Sequence, residues 1–232
     1  MLDYERQQRI LELLRTEGSM TTAALAAKLF VSEATVRRDL SRLEGTGQLR
    51  RIHGGAMLLS GPEYELPLSL RDRQSGEAKQ NIAAKAARLI SDGQTIMLDA
   101  SSTVLRLVPH LAQKSGLTVV TNGPKTTIEL AARHVKTLST GGIVLENSVA
   151  FVGRQAEQFI AGINADILFF SCRGLTGDGW VTDSSLEEAC IRREMLRRAK
   201  HRWLLCDTNK LGAQYTYNIC HVDELDGVIS EQ

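Results

Sequence analysis

The sequence predicts an α+β chain of two domains: a small three-helix unit closed by a β-ribbon, then a larger α/β sheet. Three observations predict it. Three short helical patterns run to Leu43 and give way, around Gly54-Gly55, to apolar/polar alternation. A stretch with Gly61-Pro62 and Pro67 then interrupts the texture. Beyond Glu77, helical segments alternate with continuous apolar runs of strand length, the pattern of a sheet covered on both faces. The boundaries expected are 1–58, a linker at 59–76, and 77–232.

In the first domain, Tyr4 to Arg15 carries Ile10, Leu11, Leu13 and Leu14 among polar residues, giving one apolar stripe that Gly18 stops. Thr21 or Thr22 can cap a second helix, Ala23 to Leu29, with Leu25, Ala26 and Leu29 on a narrow apolar face. Phe30-Val31 makes a tight link. Ser32 is a good N-cap for a third helix starting near Glu33, in which Val36, Leu40 and Leu43 share one face. Gly45 and Gly47 end it. Three such helices with a brief second turn form the helix-turn-helix plan, and the ribbon Gln48 to Met57 reads as a wing.

The third helix also carries chemistry. Thr35, Arg37, Arg38 and Arg42 point away from its apolar face, and with Ser32 they suit the major groove of double-stranded DNA. Arg50, Arg51 and His53 beside the wing tip suit phosphates or the minor groove. Either half has a plain alternative: a solvated charged face, and a turn histidine satisfied locally. Composition sharpens the choice. The net charge of the 232-residue chain is only +1, so it is not a globally basic nucleic-acid binder. Arg37 to Arg51 nevertheless holds five arginines against Asp39 and Glu44, which focuses positive charge on one helix and the wing.

Other classes recede. With 43% hydrophobic residues the chain can bury a sizeable core, but no apolar run approaches membrane-spanning length. No signal peptide precedes Tyr4. Cys172, Cys190, Cys206 and Cys220 form no CxxC pair and lack zinc-finger spacing, so reduced cysteines of a cytoplasmic protein are expected, with no metal or cofactor.

In the second domain, helices are expected at Ala78 to Ile90 (Ile82, Ala83, Ala86 and Leu89 inside), Val104 to Ala112, Thr126 to Ala132, Gln155 to Ile160 and Leu186 to Ala199. Strands are expected at Thr95 to Asp99, Leu117 to Thr121, Val135 to Ser139, Ile167 to Phe170, Trp203 to Cys206 and Val228 to Ser230. Ligands of such sheets bind at the carboxyl ends of the strands. Those ends deliver Asp99, Ser101, Ser102 and Thr103; Thr121 and Asn122; Gly141 and Gly142; Arg173 and Gly174; and Asp207 and Lys210. Hydroxyls and amides at a helix start favour an anion, Lys210 adds a point charge, and Asp99 can accept from sugar hydroxyls. A small phosphorylated sugar or polyol is the expected effector. Taken singly, Asp99 to Thr103 could only cap its helix, Gly141-Gly142 could only turn, and Asp207 and Lys210 could be a loop ion pair.

Arg6-(x)3-Ile10-(x)3-Leu14, then Val31-Ser32-x-x-Thr35-Val36-Arg37-Arg38-Asp39-Leu40-x-x-Leu43-Glu44, then Gly47-x-Leu49-x-Arg51-x-His53-Gly54-Gly55-Ala56 stand in order over about fifty residues. On these, Arg6 to Met57 resembles the DNA-binding domain of the DeoR family of bacterial transcriptional regulators. The resemblance implies a winged helix-turn-helix with the motif near Met20 to Asp39. It extends more loosely to Asp99-Ala100-Ser101-Ser102-Thr103, similar to a DxGST loop but with Ser101 where glycine is usual. Asp207-Thr208-Asn209-Lys210 resembles the family's D-x-(S/T/N)-K segment, and Glu187, Glu188 and Met195 match a helix beside that site. The C-terminal α/β domain is thereby implied to resemble ribose-5-phosphate isomerase and to take a phosphorylated sugar.

That fold raises an enzyme alternative: an isomerase with an appended winged helix. Proton abstraction beside a carbonyl needs a placed carboxylate. Phe169 to Gly174 holds no acid, and Asp166 starts its strand, away from the ligand end. The expectation is therefore a binding domain without turnover, in a homo-oligomeric repressor of a carbohydrate-utilisation operon. A single recognition helix reads few base pairs, and a dimer doubles the site. An activator has the same signature.

Overall fold

The computed structural model describes residues 2–45, 48–58 and 68–232. It divides into two compact units, residues 1–67 and 68–232. Gly47, Gly61-Pro62 and Pro67 lie outside the described residues.

The first unit holds α1 (Asp3–Glu17), β1 (Ser19–Thr21), α2 (Thr22–Leu29), α3 (Glu33–Gly45), β2 (Leu49–Ile52) and β3 (Gly55–Leu58). Each boundary has a local cause. Gly18 closes α1 at φ 74°, where a side chain is disfavoured. Thr21 caps α2 by accepting from the Ala24 amide at 3.1 Å. Ser32 Oγ accepts from the Thr35 amide at 3.2 Å at the head of α3. Ile10, Leu14, Leu25, Leu40, Leu43 and Leu49 interlock in one core. The wing is a β2–β3 hairpin, but sequence reading missed β1, which pairs antiparallel with β3 to make a three-stranded sheet ordered β1-β3-β2. Three residues are too few to show alternation.

A buried ion pair ties α1 to α3. Arg6 Nε donates to Asp39 Oδ2 at 2.6 Å, and Arg6 Nη2 donates to Asp3 Oδ1 at 2.8 Å. Hydrogen bonds to Asp39 and Asp3 outweigh desolvation and hold the Arg6 guanidinium above its ordinary pKa. Asp39 therefore faces inward, while its neighbour Arg38 stays exposed.

The second unit begins before the expected boundary. Residues 68–73 do not belong to a linker. They form α4 (Leu68–Arg73), and α5 (Gly76–Ala87) starts three residues later. Leu68 is buried and its amide donates to the Asn147 carbonyl, so tertiary anchoring orders a segment whose sequence shows only a short apolar signal. β4 (Thr95–Leu98), α6 (Ser102–Leu105), α7 (Val108–Leu111), β5 (Thr118–Thr121), α8 (Pro124–Ala131) and β6 (Lys136–Ser139) follow. The single helix expected at Val104 to Ala112 is thus two single turns. Pro109, at the start of α7, lacks the amide a continuous helix needs.

The chain continues through β7 (Ile143–Leu145), β8 (Ala150–Val152), α9 (Arg154–Ala161), β9 (Ala165–Phe170), β10 (Gly174–Leu175) and β11 (Trp180–Asp183). It ends with α10 (Leu186–Arg198), β12 (Ala199–Leu205), β13 (Tyr217–His221) and β14 (Gly227–Ile229). The main sheet has six parallel strands ordered β14-β12-β9-β4-β5-β6. The β7–β8 hairpin and the β10-β11-β13 sheet were not anticipated, being short and set among glycines.

Period-2 alternation sends side chains into two cores. Met97, Leu168, Phe170 and Leu204 pack with α9 and α10 residues such as Ile160 and Met195. Ile96, Leu98, Phe169 and Leu205 pack with Ile82 and Ala86 of α5 and with Val104 and Val108. Leu89, expected inside, is partly exposed because α5 ends at Ala87; Ile90 is buried instead.

Replacing Arg6 by alanine leaves Asp39 buried without its cation. The expected cost to the first unit is about 3–5 kcal/mol, read from urea unfolding of the full chain.

Candidate functional site

Strand order changes direction at β4: β5 and β6 lie to one side, β9, β12 and β14 to the other. The crevice beyond the carboxyl ends of β4 and β9 is the switch point, where such sheets bind ligands. Asp99 follows β4 and Ser171 follows β9, and the Ser171 amide donates to Asp99 Oδ2 at 3.1 Å across the gap.

Asp99, expected to accept from sugar hydroxyls, is already engaged by the protein itself. It is 1% exposed, and its carboxylate accepts from Ser101 N, Ser171 N and Arg192 Nε at 3.1, 3.1 and 2.8 Å. Arg192 also donates from Nη1 to Asp183 Oδ2 at 2.8 Å and lies 3.6 Å from Glu188 Oε1. Desolvation pulls the Arg192 pKa down, but Glu188, Asp183 and Asp99 together hold it well above its ordinary value. The cluster is a buried anchor beneath the loop. Sequence reading picked Glu188 but missed Arg192 and Asp183. The signal was there: Arg192 lies on the buried stripe of α10 with Ala189, Met195 and Leu196, where a charge demands a partner.

The loop above this anchor is held by its own side chains. Ser101 adopts φ −74° and its Oγ accepts from Val104 N at 3.2 Å, so the hydroxyl folds into the first turn of α6 as a cap. A glycine is not required there. Thr103 is fully buried and its Oγ1 has no hydrogen-bond partner; Ser102 is buried beside it. Thr121 Oγ1 accepts from Gly123 N at 3.0 Å and holds the β5 turn. Asn122 Nδ2 donates to the Phe151 carbonyl at 3.0 Å, leaving Oδ1 without a partner.

Cations converge on the same crevice. Lys210 Nζ donates to Ser171 Oγ at 2.8 Å and lies 3.5 Å from Asp207 Oδ2. Lys79, absent from the expected site, is buried and donates to the Gln74 carbonyl at 2.8 Å and to the Arg71 carbonyl. Burial, then the nearby charge of Lys210, pulls the Lys79 pKa down to about 8. Lys79 sits on the stripe Lys79, Ile82, Ala83, Ala86, so a lysine in an apolar periodicity was its signal.

The remaining expected residues have structural surroundings of their own. Gly141 and Gly142 have φ 62° and 115°, and a Cβ on Gly142 would sit 2.6 Å from the Val152 carbonyl oxygen. A Cβ on Gly174 would collide with the Ala213 carbonyl, so Gly174 permits a close approach of two backbones. The Arg173 guanidinium lies over the Tyr215 ring, 5.5 Å from its centroid.

In the first unit, α3 and the wing bring the expected basic residues to the surface. Arg37 pairs with Glu33 at 2.7 Å and Arg42 with Asp3 at 3.1 Å, both exposed. Arg51 Nη1 donates to Ser41 Oγ at 3.1 Å. Among the described residues Arg38 and Arg50 make no hydrogen bond or ion pair, and His53 is exposed at the turn of the wing. Thr35 Oγ1 shares a 2.9 Å hydrogen bond with the Ser32 hydroxyl.

A winged helix-turn-helix joined to a parallel sheet with a cationic switch-point crevice defines a class: a DNA-binding regulator with its own sensor domain. Residues 6–61 match the profile of the DeoR-like helix-turn-helix domain, and residues 74–232 that of the DeoR C terminal sensor domain. The chain belongs to the DeoR family of transcriptional regulators. It is 37% identical to the HTH-type transcriptional regulator GolR of Listeria innocua, over 100% of this chain and 91% of that protein. It is 34% identical to the lactose phosphotransferase system repressor of Staphylococcus epidermidis, over 100% and 93%. It is 32% identical to the L-fucose operon activator of Escherichia coli, over 98% and 94%. Among solved structures, D-ribose-5-phosphate isomerase in complex with phospho-erythronic acid is a neighbour at 15% identity and TM-score 0.45, over 59% of this chain and 54% of that one. No described helix is long and apolar enough to cross a membrane.

Replacing Arg192 by leucine leaves Asp99, Asp183 and Glu188 buried without their shared cation. The second unit should lose about 3–5 kcal/mol in urea unfolding.

Proposed function

We propose that this chain is a cytoplasmic, homo-oligomeric repressor of a carbohydrate-utilisation operon, released from its operator by a phosphorylated sugar. The observation that carries the effector half is the Lys79–Lys210 pair beside Ser171 at the switch point. Two amines held close repel each other, and a phosphate dianion relieves that repulsion. Amides at the head of α6 add partial positive charge, and Asn122 Oδ1 and Thr103 Oγ1 offer polar atoms without partners. The Asp99 carboxylate contributes through Arg192 and the loop it shapes, not through the sugar.

The proposed DNA-reading set is Ser32, Thr35, Arg37, Arg38 and Arg42 on and before α3, with Arg50, Arg51 and His53 on the wing. Exposed pairs such as Arg37–Glu33 are worth little and exchange readily for phosphate or base contacts. Regulation follows from differential affinity: the sugar must favour an arrangement of subunits that holds paired winged helices at the wrong spacing.

Turnover is not part of the proposal. Of the carboxylates at the crevice, Asp99 and Asp183 are engaged by Arg192 and Asp207 lies 3.5 Å from the Lys210 amine, while Asp166 accepts from Thr95 N at the opposite strand ends. A base held as an ion pair with a buried guanidinium is a poor proton acceptor. Isomerised product from ribose 5-phosphate, well above background, would overturn this part.

Arg38→Ala should weaken binding to the promoter fragment by about 1–3 kcal/mol and flatten its salt dependence; unchanged affinity and slope in a gel-shift titration would reject the assigned face. The Lys79 pKa gives a second test. With a pKa of about 8, free Lys79 is half neutral at that pH and largely neutral about one unit above it, and a bound dianion raises its pKa, so binding there should take up protons. Calorimetry in two buffers of different ionisation enthalpy, using the phosphorylated sugar that most raises the melting temperature in a screen, checks it. Lys79→Met should abolish the uptake.

A further inference from the structure

Phe30 is the outlier of the first unit. It is 95% exposed, the highest value among the large hydrophobic residues that reach solvent. It also adopts φ 56°, the left-handed region that bulky side chains avoid. The conformation is imposed by the turn. The Phe30 amide donates to Ala27 O at 3.4 Å and the Val31 amide to Ala26 O at 3.1 Å, closing α2 so that Ser32 can cap α3 two residues later. Glycine or asparagine would make this turn without strain, and neither would present an aromatic ring to water.

The turn's chemistry therefore does not explain the side chain. Among the described residues the unit's own core does not use it either: the partly buried Val31 beside it packs on that core, and Phe30 does not. What lies next to Phe30 is the head of α3, with Ser32, Thr35, Arg37 and Arg38. The base edges of the major groove offer one apolar group, the thymine C5 methyl.

We propose that Phe30 is a specificity-determining residue whose ring packs on a thymine methyl at the edge of the major groove when α3 docks. This rests on the DNA-binding reading above and deepens it: the operator half-site carries a thymine just outside the bases that α3 reads. The strained backbone and the exposed ring are then two parts of one device, since the left-handed turn throws the side chain clear of the core.

The test uses the full chain and a duplex selected from a random pool by the wild-type protein. Phe30→Gly and Phe30→Asn keep a left-handed turn and should melt no lower than wild type, yet bind that duplex about tenfold more weakly. Their slope of log affinity against log salt should match wild type, because an apolar contact releases no counterion, whereas Arg38→Ala flattens the slope. Phe30→Tyr keeps the ring and should retain affinity. Replacing thymines one at a time by uracil should reveal one position where methyl loss weakens wild type but not Phe30→Gly. Glycine and asparagine variants within twofold of wild type, a lowered melting temperature or a flattened slope in them, or the lack of any coupled thymine overturns the proposal. Failure of wild type to select a duplex would instead remove the DNA-binding reading itself.

Discussion

Arg192 is the constraint on which the sensor domain depends. One guanidinium joins α10 to the end of β4 through Asp99 and to the end of β11 through Asp183, with Glu188 of its own helix alongside. Each of those groups is buried, and none could remain charged there without the others. Through Asp99 the cluster holds the amides of Ser101 and Ser171, which fixes the shape of two strand-end loops at once. Helix packing, loop geometry and the location of the crevice therefore share one electrostatic origin. A smaller version operates in the first unit, where Arg6 clamps Asp39 and so sets which face of α3 turns outward.

The crevice complements this anchor in charge. Below it Asp99, Asp183 and Glu188 gather round the single Arg192; above, Lys79, which is buried, and Lys210 bring positive charge near the same strand ends, with Asp207 beside Lys210. Charges of opposite sign are thus separated locally in a chain whose net charge is only +1. The same separation holds in the first unit, where the inward arginine is paired and Arg38 and Arg50 are left to solvent.

Relatives with names as different as a lactose phosphotransferase repressor and an L-fucose operon activator match this chain over nearly all of its length. Backbone amides, buried anchors and a winged helix are parts such proteins can share. The side chains around these shared parts are free to differ between them.

Much of this was legible in the sequence, for a physical reason. Helix periodicity, the caps at Thr21 and Ser32, the Gly54-Gly55 turn and the apolar strand runs are local signals, set by backbone sterics and one-sided burial. They sufficed for two domains, the winged helix, the parallel sheet and the strand-end loops. What they could not carry was pairing across the chain. Asp99 reads as an acceptor for hydroxyls from its loop alone, whereas in space Arg192, ninety-three residues away, donates to it. Lys79 drew no reading from the sequence, and burial on α5 near the charge of Lys210 gives it its character. Leu68–Arg73 looked like linker until Asn147 anchored it. A charge's role depends on what faces it in space, and only tertiary structure decides that.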